Sequence, residues 1–262
     1  MFTAFKMSLK DFDDNILNFD YYYYYYRGMS TRDEQREIIH ESLGKYLSPH
    51  GVLNASEIES DWFPSIDADV FLSHSHKDEK SVIAFAGWLK EHGIKAFIDS
   101  TVWGYADDLL QQIDNAYCVQ STKPNGGHTY NYNMRNCSTA HVHAILNGAL
   151  AKMIDRTECL IFLDTPNSLK VSGISSGVTN SCWIYSELLL SRIISKKQPS
   201  RNKGRILTES VQDSALTIDY DVDLSHLINL DFLDILRAQG VDHIGTDILD
   251  QLYDDKNIYI GM

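Results

Sequence analysis

The sequence predicts an open α/β sheet, because strand-length apolar runs alternate with amphipathic helical stretches from Asp67 onward. "ADVFLSH" (68–74), "IKAFI" (94–98) and "CLIFL" (159–163) are short apolar runs bounded by polar or turn residues. Between them, apolar residues recur at helical spacing, as in Val82, Phe85, Ala86 and Leu89, closed by Gly93. A 262-residue chain with 44% hydrophobic residues supports one large domain, or a medium domain with an appendage. Strands alternating with helices imply a parallel sheet covered on both faces.

Residues 1–66 read as an N-terminal helical extension of this domain. Tyr21 to Tyr26 are an unbroken tyrosine run, expected to be an aromatic strand or turn packed on the main domain. Thr31 is a helix N-cap by type, with Asp33 and Glu34 in the first turn and an apolar stripe of Ile38, Ile39, Leu43 and Tyr46. Beyond the second strand, Ser100–Ala106 reads as a loop, followed by a helix from about Asp107 carrying Leu109, Leu110 and Ile113. Residues 115–137 ("TKPNGG", "YNYNMRN") read as a loop-rich insertion. Ser138 then N-caps a long helix with Val142, Ile145, Leu146, Ala149, Leu150, Met153 and Ile154 in its stripe. After "CLIFL" come a Ser/Gly-rich loop (172–181), a helix over about 181–195 and a basic turn (196–204). Two further strand candidates are "ALTID" (215–219) and "VDHIG" (241–245), followed by a closing helix, "TDILDQLYDD", and a tail over 256–262.

Composition excludes some classes of function. A formal charge of −13 opposes nucleic-acid binding, which concentrates Lys and Arg against phosphate. The four cysteines contain no CxxC pair, which fits a reducing compartment rather than a disulfide framework. The N-terminal stretch carries acids early and lacks the apolar core of a secretion signal. No apolar run reaches membrane-spanning length. The expectation is a cytoplasmic protein that binds neither membrane nor nucleic acid. His141 and His143, with Cys118 and Cys137, suggest zinc, but residues i and i+2 on a helix point far apart, so no metal is expected.

In open α/β sheets, ligands bind at the carboxyl ends of the strands. That places Ser73 to His76, Asp99 to Asp107 and Asp164 to Ser168 on one rim. A Ser/His pair there suggests a serine hydrolase, but the glycines of a nucleophile elbow are missing.

The ordered segments "DVFLSHSHKDE" (69–79), "LKEHGIKAFIDSTVWGYADDLLQQID" (89–114), "CLIFLDTPNS" (159–168) and "SCWIYSE" (181–187) resemble a Toll/interleukin-1 receptor (TIR) domain of the prokaryotic kind. The resemblance covers about residues 67–255, interrupted by 115–137. It implies a flavodoxin-like fold with a five-stranded parallel sheet. It also implies cleavage of NAD+ at the nicotinamide–ribose bond, giving ADP-ribose or a cyclic or modified ADP-ribose messenger, as in antiphage defence. NAD+ would be substrate rather than cofactor. Homo-oligomerisation on activation, and an effector sensing the messenger, are the partners the family implies.

By the family pattern, Glu187 matches the catalytic glutamate, with Trp183 one helical turn before it. A carboxylate at the sugar hydroxyls stabilises an oxocarbenium-like transition state more than the ground state. The leaving nicotinamide is already cationic, so one carboxylate suffices where ordinary glycosidases use two. The plain alternative is a solvated helix-surface glutamate. Ser73, His74 and Ser75 fall where the family contacts the nucleotide. Asp99, Trp103 and Tyr105 lie in the segment that gates the family's site, and stack on or bond a base or ribose unless they only pack the loop on its own helix. Ala106 stands where the family commonly has Gly. Trp183 is read as a core anchor that also fixes the helix carrying Glu187. A non-catalytic TIR interaction module is the alternative function, and a nucleoside-processing enzyme a third.

Overall fold

The computed structural model describes residues 1–16, 21–36, 43–46, 53–98, 100–123, 126–171, 176–199, 201, 220–240 and 242–258. In chain order the elements are β1 (Thr3–Ser8), α1 (Leu9–Ile16), α2 (Tyr21–Arg36), α3 (Ala55–Trp62), β2 (Val70–Ser73), α4 (Glu79–Glu91), β3 (Ala96–Ile98) and α5 (Ser100–Ile113). They continue with β4 (Val119–Thr122), β5 (His128–Tyr130), α6 (Tyr132–Arg156), β6 (Cys159–Asp164), β7 (Lys170–Val171), β8 (Ser176–Thr179) and α7 (Cys182–Ile193). The chain closes with β9 (Tyr220–Asp223), β10 (Ile228–Leu230), α8 (Phe232–Gln239) and α9 (Thr246–Asp255). Among the described residues, no helix is long and apolar enough to cross a membrane.

Two compact units emerge. The first comprises Met1–Glu34, Ile66–Ser100 and Met153–Met262 and holds the main sheet. Its five strands run in the order β10-β1-β6-β2-β3, and every neighbouring pair is parallel. The expected α/β class with a five-stranded parallel sheet is therefore present. Counting β2, β3 and β6 as first, second and third, they stand in the flavodoxin-like order 2-1-3. The fourth place is taken by β1, from the N-terminus, and the fifth by β10.

This corrects the reading of residues 1–66 as an appendage. β1 is an interior strand, paired with β6 over six positions from Thr3↔Cys159 to Ser8↔Asp164 and with β10 on its other side. Two further strand expectations change. "VDHIG" is not a strand over its described residues, 242–245, and the edge strand is β10, Ile228–Leu230. "ALTID" lies outside the described residues. Within the Ser/Gly-rich stretch, Ser176–Thr179 is β8, the middle strand of a small antiparallel sheet, β7-β8-β9.

Alternation assigns the two faces of the main sheet. Phe5 and Met7 of β1, Val70 and Leu72 of β2, and Ile161 and Leu163 of β6 face a core completed by Phe12 of α1, Phe85 and Trp88 of α4, Phe232 of α8 and Tyr253 of α9. The aromatic rings meet edge to face, with Phe12 5.1 Å from both Phe85 and Phe232. The opposite face carries Phe71 and Ser73, and α7 reaches it.

The tyrosine run is neither strand nor turn: it opens α2, which continues through Thr31 to Arg36. The helix docks on α4 by glycine. A Cβ on Gly28 would stand 1.8 Å from the Ile83 carbonyl oxygen, and one on Gly87 1.9 Å from that of Tyr24. Only hydrogen at both positions permits this approach. Tyr21, Tyr24, Tyr25 and Met29 pack on the core, while Tyr22 and Tyr26 remain exposed. Arg27 bonds Glu91, and Arg32 pairs with Glu79 at 3.3 Å, both on α4.

The second unit comprises Gln35–Ser65 and Thr101–Lys152. In α3, Asn54 caps the helix through bonds from the Ser56 and Glu57 amides. The segment read as a loop insertion contains a π-turn (Asp114–Cys118), the β4–β5 hairpin and the start of α6. The cap of α6 is Asn131, whose side chain accepts from the Met134 amide at 3.1 Å; Ser138 sits inside the helix. There the Ser138 hydroxyl donates to Asp114 at 2.5 Å, and Arg135 Nε bonds the other Asp114 oxygen at 2.7 Å. These donors hold the buried Asp114 carboxyl below its usual pKa against the opposing effect of burial. Ser100–Ala106, read as a loop, forms the opening turns of α5.

Candidate functional site

The site is built on β2, β6 and α7. The chain leaves β2 toward β3 on one side, while β6 lies on the other, so the strand order reverses between β2 and β6. Ligands in open sheets favour this position at the carboxyl ends. Ser73 ends β2 and pairs in register with Phe162 of β6.

Glu187 occupies the sixth position of α7, whose buried face comprises Ile184, Glu187, Leu188 and Ser191. That spacing is one stripe of a helix, with a carboxylate where an apolar residue is the norm. Ser73 and Glu187 are both 0% exposed. The Ser73 hydroxyl donates to Glu187 Oε2 at 2.5 Å, the short range of a bond to a charged acceptor.

A hydrogen-bonded chain along the rim fixes where α7 begins. Asp78, at the end of the single turn after β2, accepts from Thr165 Oγ1 at 2.5 Å and from Asn167 Nδ2 at 2.6 Å. Ser168 closes the turn after β6 by accepting from the Thr165 amide at 2.9 Å. Thr179, 1% exposed, donates to the Ser168 carbonyl at 2.9 Å and accepts from the Ser181 amide at 3.1 Å. Ser181 then N-caps α7 through the Ile184 amide at 3.3 Å. The far end of α7 is tied as well. Ser191, one turn after Glu187, lies 2.9 Å from His226 Nε2, and Arg192 pairs with Asp223 at 2.9 Å. Burial pushes the His226 imidazole down to about 4, with the Asp223 charge opposing the shift.

The other expected site residues fall as follows. His74 is buried, and its Nδ1 lies 3.1 Å from the Leu72 carbonyl. A carbonyl can only accept, so Nδ1 carries a proton. Ser75 caps the turn after β2 by accepting from the Lys77 amide at 3.4 Å. Trp183 is half-buried rather than a fully covered anchor. Asp99 lies outside the described residues, as do the side chains of Trp103 and Tyr105. Among the described residues there is no cluster of His, Cys, Asp and Glu suited to a metal ion.

Thr165 lies within the expected rim segment Asp164–Ser168, whereas Asp78 and Thr179, which also align α7, and Lys6 were not singled out from the sequence. The register places Lys6 beside Phe162 on the face that carries Ser73, and its ammonium lies 3.7 Å from Asp164. Burial raises the Asp164 carboxyl, and Lys6 opposes that shift. The local signal for Thr179 was the turn chemistry of "VTNS" (178–181). For Lys6 it was hidden with the strand that carries it.

Together these features define a flavodoxin-like α/β protein with a buried carboxylate held at the switch point of its sheet. No family model matches the chain, and no curated protein or solved structure matches it either.

Proposed function

We propose that the protein is a TIR-type NAD+ glycohydrolase or ADP-ribosyl cyclase, with Glu187 as its catalytic carboxylate. The observation that carries this reading is the placement of Glu187. It sits on the helix following the third strand of the 2-1-3 core and is held by a hydroxyl at the switch point. A core glutamate is costly unless paired, and this one lies where α/β sheets receive ligands.

In the reaction, the bond between ribose C1′ and the nicotinamide ring nitrogen breaks. Its electron pair goes to that nitrogen, neutralising the pyridinium, and positive charge develops on the ribose. Glu187 stabilises that charge from the hydroxyl side of the sugar. Water then gives ADP-ribose plus a proton; attack by the adenine of the same molecule gives a cyclic product. Because Glu187 is fully covered, the working state must uncover one of its oxygens. Assembly into a homo-oligomer is the step expected to do so, with activity rising with protein concentration. A cytoplasmic role in antiphage defence, with a separate effector reading the messenger, completes the proposal.

The test is nicotinamide release from NAD+, followed by chromatography across a range of protein concentrations. Wild type should release nicotinamide, and Glu187→Gln should lower the rate by roughly a hundredfold or more. Equal rates in the two proteins, or none from wild type at any concentration, refute the assignment. The complete burial of Glu187 favours one other reading, a non-catalytic TIR-type interaction module in which the Ser73–Glu187 bond only holds the core together. In that case Glu187→Gln leaves the biological output unchanged.

A further inference from the structure

We infer that Ser73 is a positioning residue, which sets the orientation of the Glu187 carboxylate and makes no contact with the substrate. This rests on the reading of Glu187 as catalytic, and it changes the role expected for Ser73 itself.

Two observations carry it. Ser73 is 0% exposed at the end of an interior strand, where the carboxylate it bonds stands over its hydroxyl. The hydroxyl has a single proton, and that proton is committed to Glu187 Oε2 at 2.5 Å. Engaging Oε2 fixes the plane of the carboxylate, and with it the direction in which Oε1 is aimed. The backbone on both sides of this bond is rigid. β2 pairs with β6 and β3, while α7 is capped by Ser181 and tied at Ser191 and Arg192. A carboxylate held between two fixed elements costs little to reorganise when charge develops beside it.

The experiment is a double-mutant cycle with NAD+ as the probe. In Ser73→Ala, kcat should fall roughly ten- to a hundredfold while KM stays within about twofold, because orientation is lost and binding is kept. Ser73→Thr keeps the hydroxyl and should recover most of the rate. In a Glu187→Gln background, adding Ser73→Ala should leave NAD+ affinity, measured by calorimetry, unchanged, since a residue acting only through Glu187 has nothing left to act on. Weaker NAD+ binding in that background would mean that Ser73 touches the nucleotide, and would overturn the inference while leaving the enzymatic reading intact. An unchanged kcat in a folded Ser73→Ala protein does the same. Absence of nicotinamide release from wild type overturns both.

Discussion

The crossing of α2 and α4 offers the sharpest test of the architecture, because it predicts that one glycine-to-alanine change destabilises where another stabilises. At Gly87 an added Cβ would stand 1.9 Å from the Tyr24 carbonyl oxygen and 2.6 Å from the Gly28 amide nitrogen. Ordinary contact begins near 3.4 Å, so the helices must part by about 1.5 Å, and a gap of even 1 Å forfeits up to about half of the attraction between facing atoms. Both obstructing groups are backbone, so no side-chain rotation relieves the clash. The packing at risk is that of Tyr21, Tyr24, Tyr25 and Met29 against the core. Overpacking costs about 1–3 kcal/mol, against a helix-propensity gain of about 1 kcal/mol for alanine. Because the parted helices also pack less closely, we expect Gly87→Ala to destabilise by about 2 kcal/mol, a fall in Tm of roughly 4–8 °C. Gly148, in α6, has nothing within 4 Å of its added Cβ, so Gly148→Ala should stabilise by about 0.5–1 kcal/mol. Urea unfolding of both variants, followed by far-UV circular dichroism, reads the two signs. A Gly87→Ala protein as stable as Gly148→Ala would show that α2 does not seat on α4 through this crossing.

Three other outcomes follow from the hydrogen-bond and charge arrangement. His226 is held near 4 when folded and titrates near 6.5 when unfolded, so the unfolded chain takes up the proton first as pH falls. Its neutral burial is therefore without penalty above pH 6.5, and stability falls by roughly 2–3 kcal/mol between pH 6.5 and 4; His226→Gln should flatten that part of the curve, and an unaltered slope would contradict the assignment. Ser138→Ala removes one donor from the buried Asp114 and should cost about 1–2 kcal/mol after the propensity gain, measured by urea unfolding. Thr179→Val keeps the shape but deletes one buried and one half-buried hydrogen bond, so a loss of about 1–3 kcal/mol and slower nicotinamide release are expected as α7 loses its alignment.

What the sequence revealed was whatever local pattern determines. "ADVFLSH" and "IKAFI" contain β2 and β3, "CLIFL" covers all of β6 but its last residue, Asp164, and Ser181 and the 246–255 segment mark helices that are present. The resemblance also named Glu187 and Ser73 separately, but their bond spans 114 residues and could not be read locally. β1 escaped because Lys6 and Ser8 interrupt an otherwise apolar stretch; those positions face the side away from the main core. The tyrosine run offered no periodicity at all: six identical residues fit a period of 2 and of 3.6 equally. Its helix is decided by the close approach of Gly28 and Gly87, a tertiary fact that overrides propensity. At α6, Asn131 and Ser138 are both good caps by type, and the neighbouring hairpin, which ends at Tyr130, makes the earlier one the start.

The position of β1 has a kinetic consequence. The strand is made before either of its neighbours, β6 and β10, which follow about 156 and 223 positions later. Until both exist, an apolar ribbon with two open edges waits without its lateral partners, and closing loops of that length slows the search. The sheet therefore completes only once β10 has been made. A chain stalled before Ile228 would present an unpaired edge to other nascent chains and to chaperones.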